Sequence, residues 1–128
     1  MNGDLVVFNA RLVDRDTDTS GAVVVRGGKI ESVLAGFDGR PDVAGARFID
    51  ARGAALMPAF IDLHAHFRDP GFTFKEDLES GSRAAVAGGY ATVVCMANTN
   101  PVISSAGDAA AVRERASRIG LVDLYQAV

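Results

Sequence analysis

Apolar and polar positions alternate in short runs over the first third of the chain, and then the period changes. Leu5-Val6-Val7-Phe8 predicts a short strand, Asp14 to Gly21 a polar turn rich in Asp and Thr, and Ala22-Val23-Val24-Val25-Arg26 a second strand. Gly27-Gly28 suits a hairpin turn, because glycine reaches positive φ at no steric cost. Lys29-Ile30-Glu31-Ser32-Val33-Leu34 alternates polar with apolar, as a half-buried strand does. A loop over Gly36 to Gly45, a short strand at Arg47-Phe48-Ile49-Asp50 and a turn at Arg52-Gly53 complete the region. Short strands with Gly-rich turns suggest a small sheet or a sandwich.

From Ala54 the runs lengthen. Ala54 to Ile61 is continuously apolar and predicts one buried strand leading into Asp62-Leu63-His64-Ala65-His66. Thr73-Phe74-Lys75-Glu76 has the form of a capping box, which predicts a helix over 75–87, closed by Gly88-Gly89. Gly81 lies inside that helix and weakens it. Ala91 to Met96 is an apolar, β-branched run that suits a buried parallel strand. Ser105-x-x-Asp108 opens a second helix over 106–118, with Gly120 as its stop, and Leu121 to Val128 predicts a third strand. The order from residue 55 is β-α-β-α-β, the mark of a parallel α/β sheet or barrel. The expected organisation is a small β-sandwich-like domain over 1–56, followed over 57–128 by the opening of a (β/α)8 barrel. Such a barrel needs at least about 200 residues. The chain is therefore expected to be the N-terminal part of a larger enzyme, or a natural truncation.

Composition narrows the function classes. Of 128 residues 48% are hydrophobic and 23% charged, a globular balance. A net charge of −3 and the absence of Trp argue against a nucleic-acid surface and against a polybasic membrane patch. Cys95 is the single cysteine, which excludes an internal disulfide and fits a reducing compartment. The N-terminus has no basic segment followed by an apolar core, and no apolar run reaches the roughly 18 residues of a membrane helix. A cytoplasmic protein is the expectation.

The chemistry concentrates at residues 62–71. His64 and His66 are the only two histidines. On an uninterrupted strand, side chains two apart share a face, so Asp62, His64, His66 and Arg68 would point the same way, with Pro70-Gly71 turning the chain. Two imidazoles at that spacing can converge on one Zn²⁺, or each can be hydrogen-bonded in place, and the spacing leaves both readings open. Arg68 suits a bidentate carboxylate or phosphate, but its residue type alone favours an ion pair with Asp69, Glu76 or Asp77. Asn98 can hold a carboxylate or form an Asx turn before Pro101. Asp62 can orient a histidine or accept from a backbone amide. Asp69 and Glu76 read as solvated or capping acids, and Cys95 as a small buried hydrophobe. Phosphate-loop motifs are absent.

Phe60-Ile61-Asp62-Leu63-His64-Ala65-His66-Phe67-Arg68-Asp69-Pro70-Gly71 is similar to the first-strand signature of the amidohydrolase superfamily. More narrowly it resembles the type I dihydroorotases, and the likeness continues through Phe72 to Glu76, Glu79 to Gly81 and Gly88 to Pro101. The resemblance implies a binuclear zinc centre with His64 and His66 on its more buried metal, and Arg68 and Asn98 holding the substrate carboxylate. It implies reversible cyclisation of N-carbamoyl-L-aspartate to L-dihydroorotate in pyrimidine biosynthesis. Its bridging ligand, two later histidine ligands and catalytic aspartate would lie beyond position 128, so no catalytic residue falls within this chain, which alone should be inactive. A homodimer, and association with aspartate transcarbamoylase, also follow from the resemblance. Ala59 stands where the family usually has Gly, and Ala97 where it usually has Pro. Two other readings are a related cyclic amidohydrolase (dihydropyrimidinase, hydantoinase or allantoinase) and a non-catalytic partner of aspartate transcarbamoylase. Arg68 together with Asn98 favours dihydroorotase.

Overall fold

Strand β1 (Leu5–Val13) is the hub of the first sheet: it pairs with β2 (Asp18–Arg26), β4 (Arg47–Asp50) and β5 (Ala55–Leu56), while β3 (Lys29–Ala35) pairs with β2. The computed structural model describes residues 3–128 and divides into two compact units, Met1–Pro58 and Ala59–Val128.

In the first unit the strands form one five-stranded sheet, which decides between the sheet and the sandwich that the turn-rich pattern allowed. β1, β2 and β3 run antiparallel, and β4 and β5 run parallel to β1. Gly27 and Gly28 make the β2–β3 turn at φ 55° and 77°, the positive values their sequence required. The polar stretch over 14–21 is only half turn. Asp14 to Thr17 close on themselves through an Asp14 N–H to Thr17 carbonyl bond of 2.9 Å, while Asp18 to Gly21 continue β2. Backbone pairing with β1 carries the strand past its apolar residues, and the Arg11 guanidinium clasps Asp18 at 2.7 and 2.6 Å across the pair. Ala10, Leu12 and Val23 form a buried cluster, covered by Val7, Val25, Ala51 and Leu56.

The second unit is β6 (Phe60–Ala65), α1 (Leu78–Ala87), β7 (Tyr90–Cys95), α2 (Ala106–Ile119) and β8 (Asp123–Gln126). Its strands are parallel in the order β6-β7-β8, so each helix is a crossover between neighbours. This is an α/β unit with the opening β-α-β-α-β of a barrel. Both helices bury their apolar residues against the sheet, in a core that includes Leu78, Val93, Cys95, Val112, Ala116 and Leu124. None of the described helices is long and apolar enough to cross a membrane.

Two expectations change here. The apolar run over 54–61 is not one buried strand. It breaks at Met57-Pro58-Ala59, where proline has no N–H for a ladder, and the unit boundary falls at the same place. β6 is an outer strand, so Ile61 is 60% and Leu63 71% exposed. The first helix also starts later than Thr73-x-x-Glu76 suggested. Asp77 is the N-cap: its carboxylate accepts the Ser80 N–H at 2.7 Å, and the Ser80 hydroxyl accepts the Asp77 N–H at 3.0 Å. Residues 73–75 stay in a turn, with the Lys75 N–H on the Phe72 carbonyl at 2.8 Å. The second helix keeps its expected Ser105 cap and ends at Gly120, left-handed at φ 68°.

Candidate active site

His64 sits near the end of β6 and His66 just past it, their ring centres 5.1 Å apart. The one-face arrangement of Asp62, His64, His66 and Arg68 presupposes an uninterrupted strand, and β6 ends at Ala65. The β6–β7 ladder slips between Asp62 and Ala65, and a slipped ladder interrupts the two-residue alternation on which that arrangement depended. Arg68 lies beyond the strand altogether, with a left-handed backbone at φ 58°. Asp62 and His66 line one cleft of about 340 Å³ together with Glu76 and Tyr90, and His64 does not line it. A larger cleft of about 650 Å³ lies between α2 and β8, lined by Arg113 and Tyr125, with neither histidine on its wall.

The local contacts decide several open readings. Asp62 accepts the His64 backbone N–H at 2.9 Å, so it caps an amide and does not hold an imidazole. Asn98, past the end of β7, points its Oδ1 at His66 Nδ1 at 2.8 Å, although the two are 32 positions apart in sequence. Arg68 takes part in none of the ion pairs found among the described residues. The salt bridge expected of it is therefore not formed.

Asp69 is the clear miss. It reads from sequence as a solvated or capping acid, yet it is 5% exposed and bound at both oxygens by Arg115 of α2. No local pattern announces a pair 46 positions apart. The pair ties the loop after β6 to the second helix. The same loop is tied to the loop after β7 by the Asn100 N–H on the Pro70 carbonyl at 3.1 Å. Gly71 makes that approach possible: at φ 91° a Cβ would overlap the Asn100 carbonyl oxygen.

Cys95 is the last residue of β7. Burial pushes its thiol up to about 11, the Asp62 and Glu76 carboxylates adding to the effect against a backbone hydrogen bond from Phe67. It is buried and unpaired with any other cysteine, as a small core residue should be.

The ring spacing of the two imidazoles permits a shared metal ion, as it does a T-shaped ring pair. With N–metal distances of about 2.0–2.1 Å and a tetrahedral angle, two imidazole centres stand about 5 Å apart. The observed 5.1 Å matches that span. Among the described residues no third His, Cys, Asp or Glu completes a metal-holding group, so a full coordination shell needs ligands from outside them.

Residues 53–126 match the family described as dihydro-orotase-like. A protein named dihydroorotase from Clostridium botulinum (strain Eklund 17B / Type B) is 42% identical over 125 residues, covering 98% of this chain and 30% of that protein. One of the same name from Aquifex aeolicus (strain VF5) is 43% identical over 119 residues, covering 91% and 27%. Among solved structures, L-hydantoinase (dihydropyrimidinase) from Arthrobacter aurescens superposes with a TM-score of 0.79 at 29% identity, covering 97% of this chain and 27% of that one. A D-hydantoinase gives 0.70 at 25% identity, covering 96% and 26%. The chain thus spans about 30% of the length of the curated relatives it matches.

Proposed function

The chain belongs to the dihydro-orotase-like family, and from that premise we propose that it supplies the first metal ligands and the carboxylate clamp of a zinc-dependent dihydroorotase. The substrate pair is N-carbamoyl-L-aspartate and L-dihydroorotate. The observation that carries this reading is the meeting of His66 and Asn98 at the adjacent ends of two parallel strands. In such sheets, sites form at the strand C-termini.

Each residue then has a task its surroundings permit. His64 and His66 hold zinc through ring nitrogens. When bound, zinc supplies a Lewis acid that polarises the ring amide carbonyl. Arg68, free of protein carboxylates among the described residues, offers two parallel N–H groups to the substrate carboxylate. Asn98 accepts from His66 with its oxygen and keeps its Nδ2 hydrogens for the same carboxylate. The remaining ligands and the general base come from the part of the barrel that the relatives have and this chain does not span.

A chimera tests the reading. This chain replaces the segment it matches in the Aquifex aeolicus relative, and the product is assayed in both directions with zinc counted. Turnover that disappears in His64→Ala and in His66→Ala supports the proposal. The solved hydantoinases favour a second reading, hydrolysis of a ring amide that carries no carboxylate. A folded, zinc-loaded chimera that opens hydantoin or dihydrouracil but not dihydroorotate would establish that reading instead.

A further inference from the structure

We propose that Asn98 is a positioning residue for His66, holding the imidazole in the tautomer that carries its proton on Nδ1 and presents the Nε2 lone pair to the metal. The inference rests on the metal reading above and adds a role for Asn98 besides holding substrate.

The argument starts from the hydrogen-bond inventory. A carboxamide oxygen only accepts, so an Oδ1 at 2.8 Å from Nδ1 requires a proton on Nδ1. A neutral imidazole has one N–H and one lone pair, so a protonated Nδ1 leaves the lone pair on Nε2. A metal ligand needs that lone pair. A partner on the other nitrogen both selects the tautomer and fixes the ring's orientation.

The backbone explains why Asn98 can do this. The Met96 N–H donates to the Ala65 carbonyl at 2.9 Å, which extends the β6–β7 ladder one rung beyond the strands. That rung sets the two loops side by side, with His66 one residue past Ala65 and Asn98 two past Met96. The second loop is stiffened from within. Thr99 is buried, its hydroxyl donates to the Pro101 carbonyl at 2.7 Å, and the Ile103 N–H closes back on the Ala97 carbonyl at 3.2 Å. Asn98 therefore stands on a braced turn, and its amide reaches His66 from a fixed base. His64 has no such partner: the one side-chain hydrogen bond that reaches it among the described residues runs from its backbone N–H to the Asp62 carboxylate.

The test reads the tautomer directly. The metal-free chimera, labelled with ¹⁵N-histidine, is examined by long-range ¹⁵N–¹H correlation at alkaline pH, where imidazoles are neutral. His66→Gln, which removes the His66 signals, assigns them. The expected result is a protonated Nδ1 on His66, lost to a mixture of tautomers in Asn98→Ala and restored in Asn98→Asp, which keeps an accepting oxygen. A proton on Nε2 in the unmodified chimera, or a tautomer that ignores Asn98→Ala, overturns the proposal. Zinc titration followed on the same signals should move His66 Nε2. It should show affinity falling about 10–100-fold in Asn98→Ala and recovering in Asn98→Asp. If the tautomer is as expected but zinc leaves Nε2 unmoved, the metal-site reading itself fails, and the proposal's metal half with it. In the chimera, Asn98→Asp should raise KM, because a carboxylate repels the substrate carboxylate, while zinc content is retained. Zinc lost in Asn98→Asp as fully as in Asn98→Ala would show that an accepting oxygen on His66 Nδ1 is not what the metal needs, and would overturn the proposal.

Discussion

Arg115 grips both oxygens of Asp69, Nη1 to Oδ1 at 2.8 Å and Nη2 to Oδ2 at 2.7 Å, with the carboxylate withdrawn from solvent and half of the guanidinium side chain still wet. The residue next to Asp69 is Arg68, so this ion pair holds the base of the candidate carboxylate clamp. Removing Arg115 strands a buried carboxylate without its two charged donors. Arg115→Met should lower unfolding stability by about 2 kcal/mol, the scale of hydrogen bonds to charged groups discounted for the exposed half of the pair. Urea denaturation of Arg115→Met, Asp69→Asn and the double variant would measure it. Additivity of the two single changes within about 0.5 kcal/mol would show that the pair is not coupled.

Gly81 gives a prediction opposite in sign to helix propensity. An alanine in a helix interior is worth about 0.8–1 kcal/mol over glycine. Yet a Cβ on Gly81 would lie 2.6 to 2.8 Å from ring atoms of Phe67, which is buried against α1. Overpacking of that kind costs about 1–3 kcal/mol. Gly81→Ala should therefore lower the thermal midpoint, and a raised midpoint would show that the ring has room to move.

Cys95 should be inert at neutral pH. Its thiol is pushed to about 11, mainly by burial, so the protonated form is favoured in the folded state. The sign follows: the stabilisation relative to an ordinary thiol is complete below the ordinary thiol range and is lost as pH rises through about 11. Alkylation by iodoacetamide at pH near 8 should be slow in the native chain and fast in urea. Rapid native alkylation at that pH would contradict both the burial and the raised value.

Arg68 separates substrate binding from metal binding. In the chimera, Arg68→Met should raise KM for dihydroorotate by about tenfold to a hundredfold, the loss of a charge-assisted bidentate contact. Zinc content should be unchanged. A parallel fall in zinc would place Arg68 in support of the metal site instead.

Much of this was legible in the sequence. Short apolar runs and glycine pairs announce the strands and the hairpin at Gly27-Gly28. Ser105 and Gly120 bracket α2 correctly because cap chemistry is local. The rest was hidden for a common reason: it depends on partners distant along the chain. Asp69 looks solvated until Arg115 is folded against it. Gly81 looks like a defect until Phe67 fills its space. Asn98 seems as suited to an Asx turn as to a site until the β6–β7 pairing lays it beside His66. The slip in that pairing and the end of β6 at Ala65 were equally hidden, because both depend on the neighbouring strand.

The second sheet has unfinished margins. β6 and β8 are its outer strands, and β6 turns Ile61 and Leu63 outward. Handled by itself at high concentration, the 128-residue chain is a polymerisation hazard, because each margin is a template for a strand from another molecule. Its sedimentation and light scattering should depend steeply on dilution. Any flanking segment that continues the sheet would act first as a solubiliser, before it contributes a single ligand.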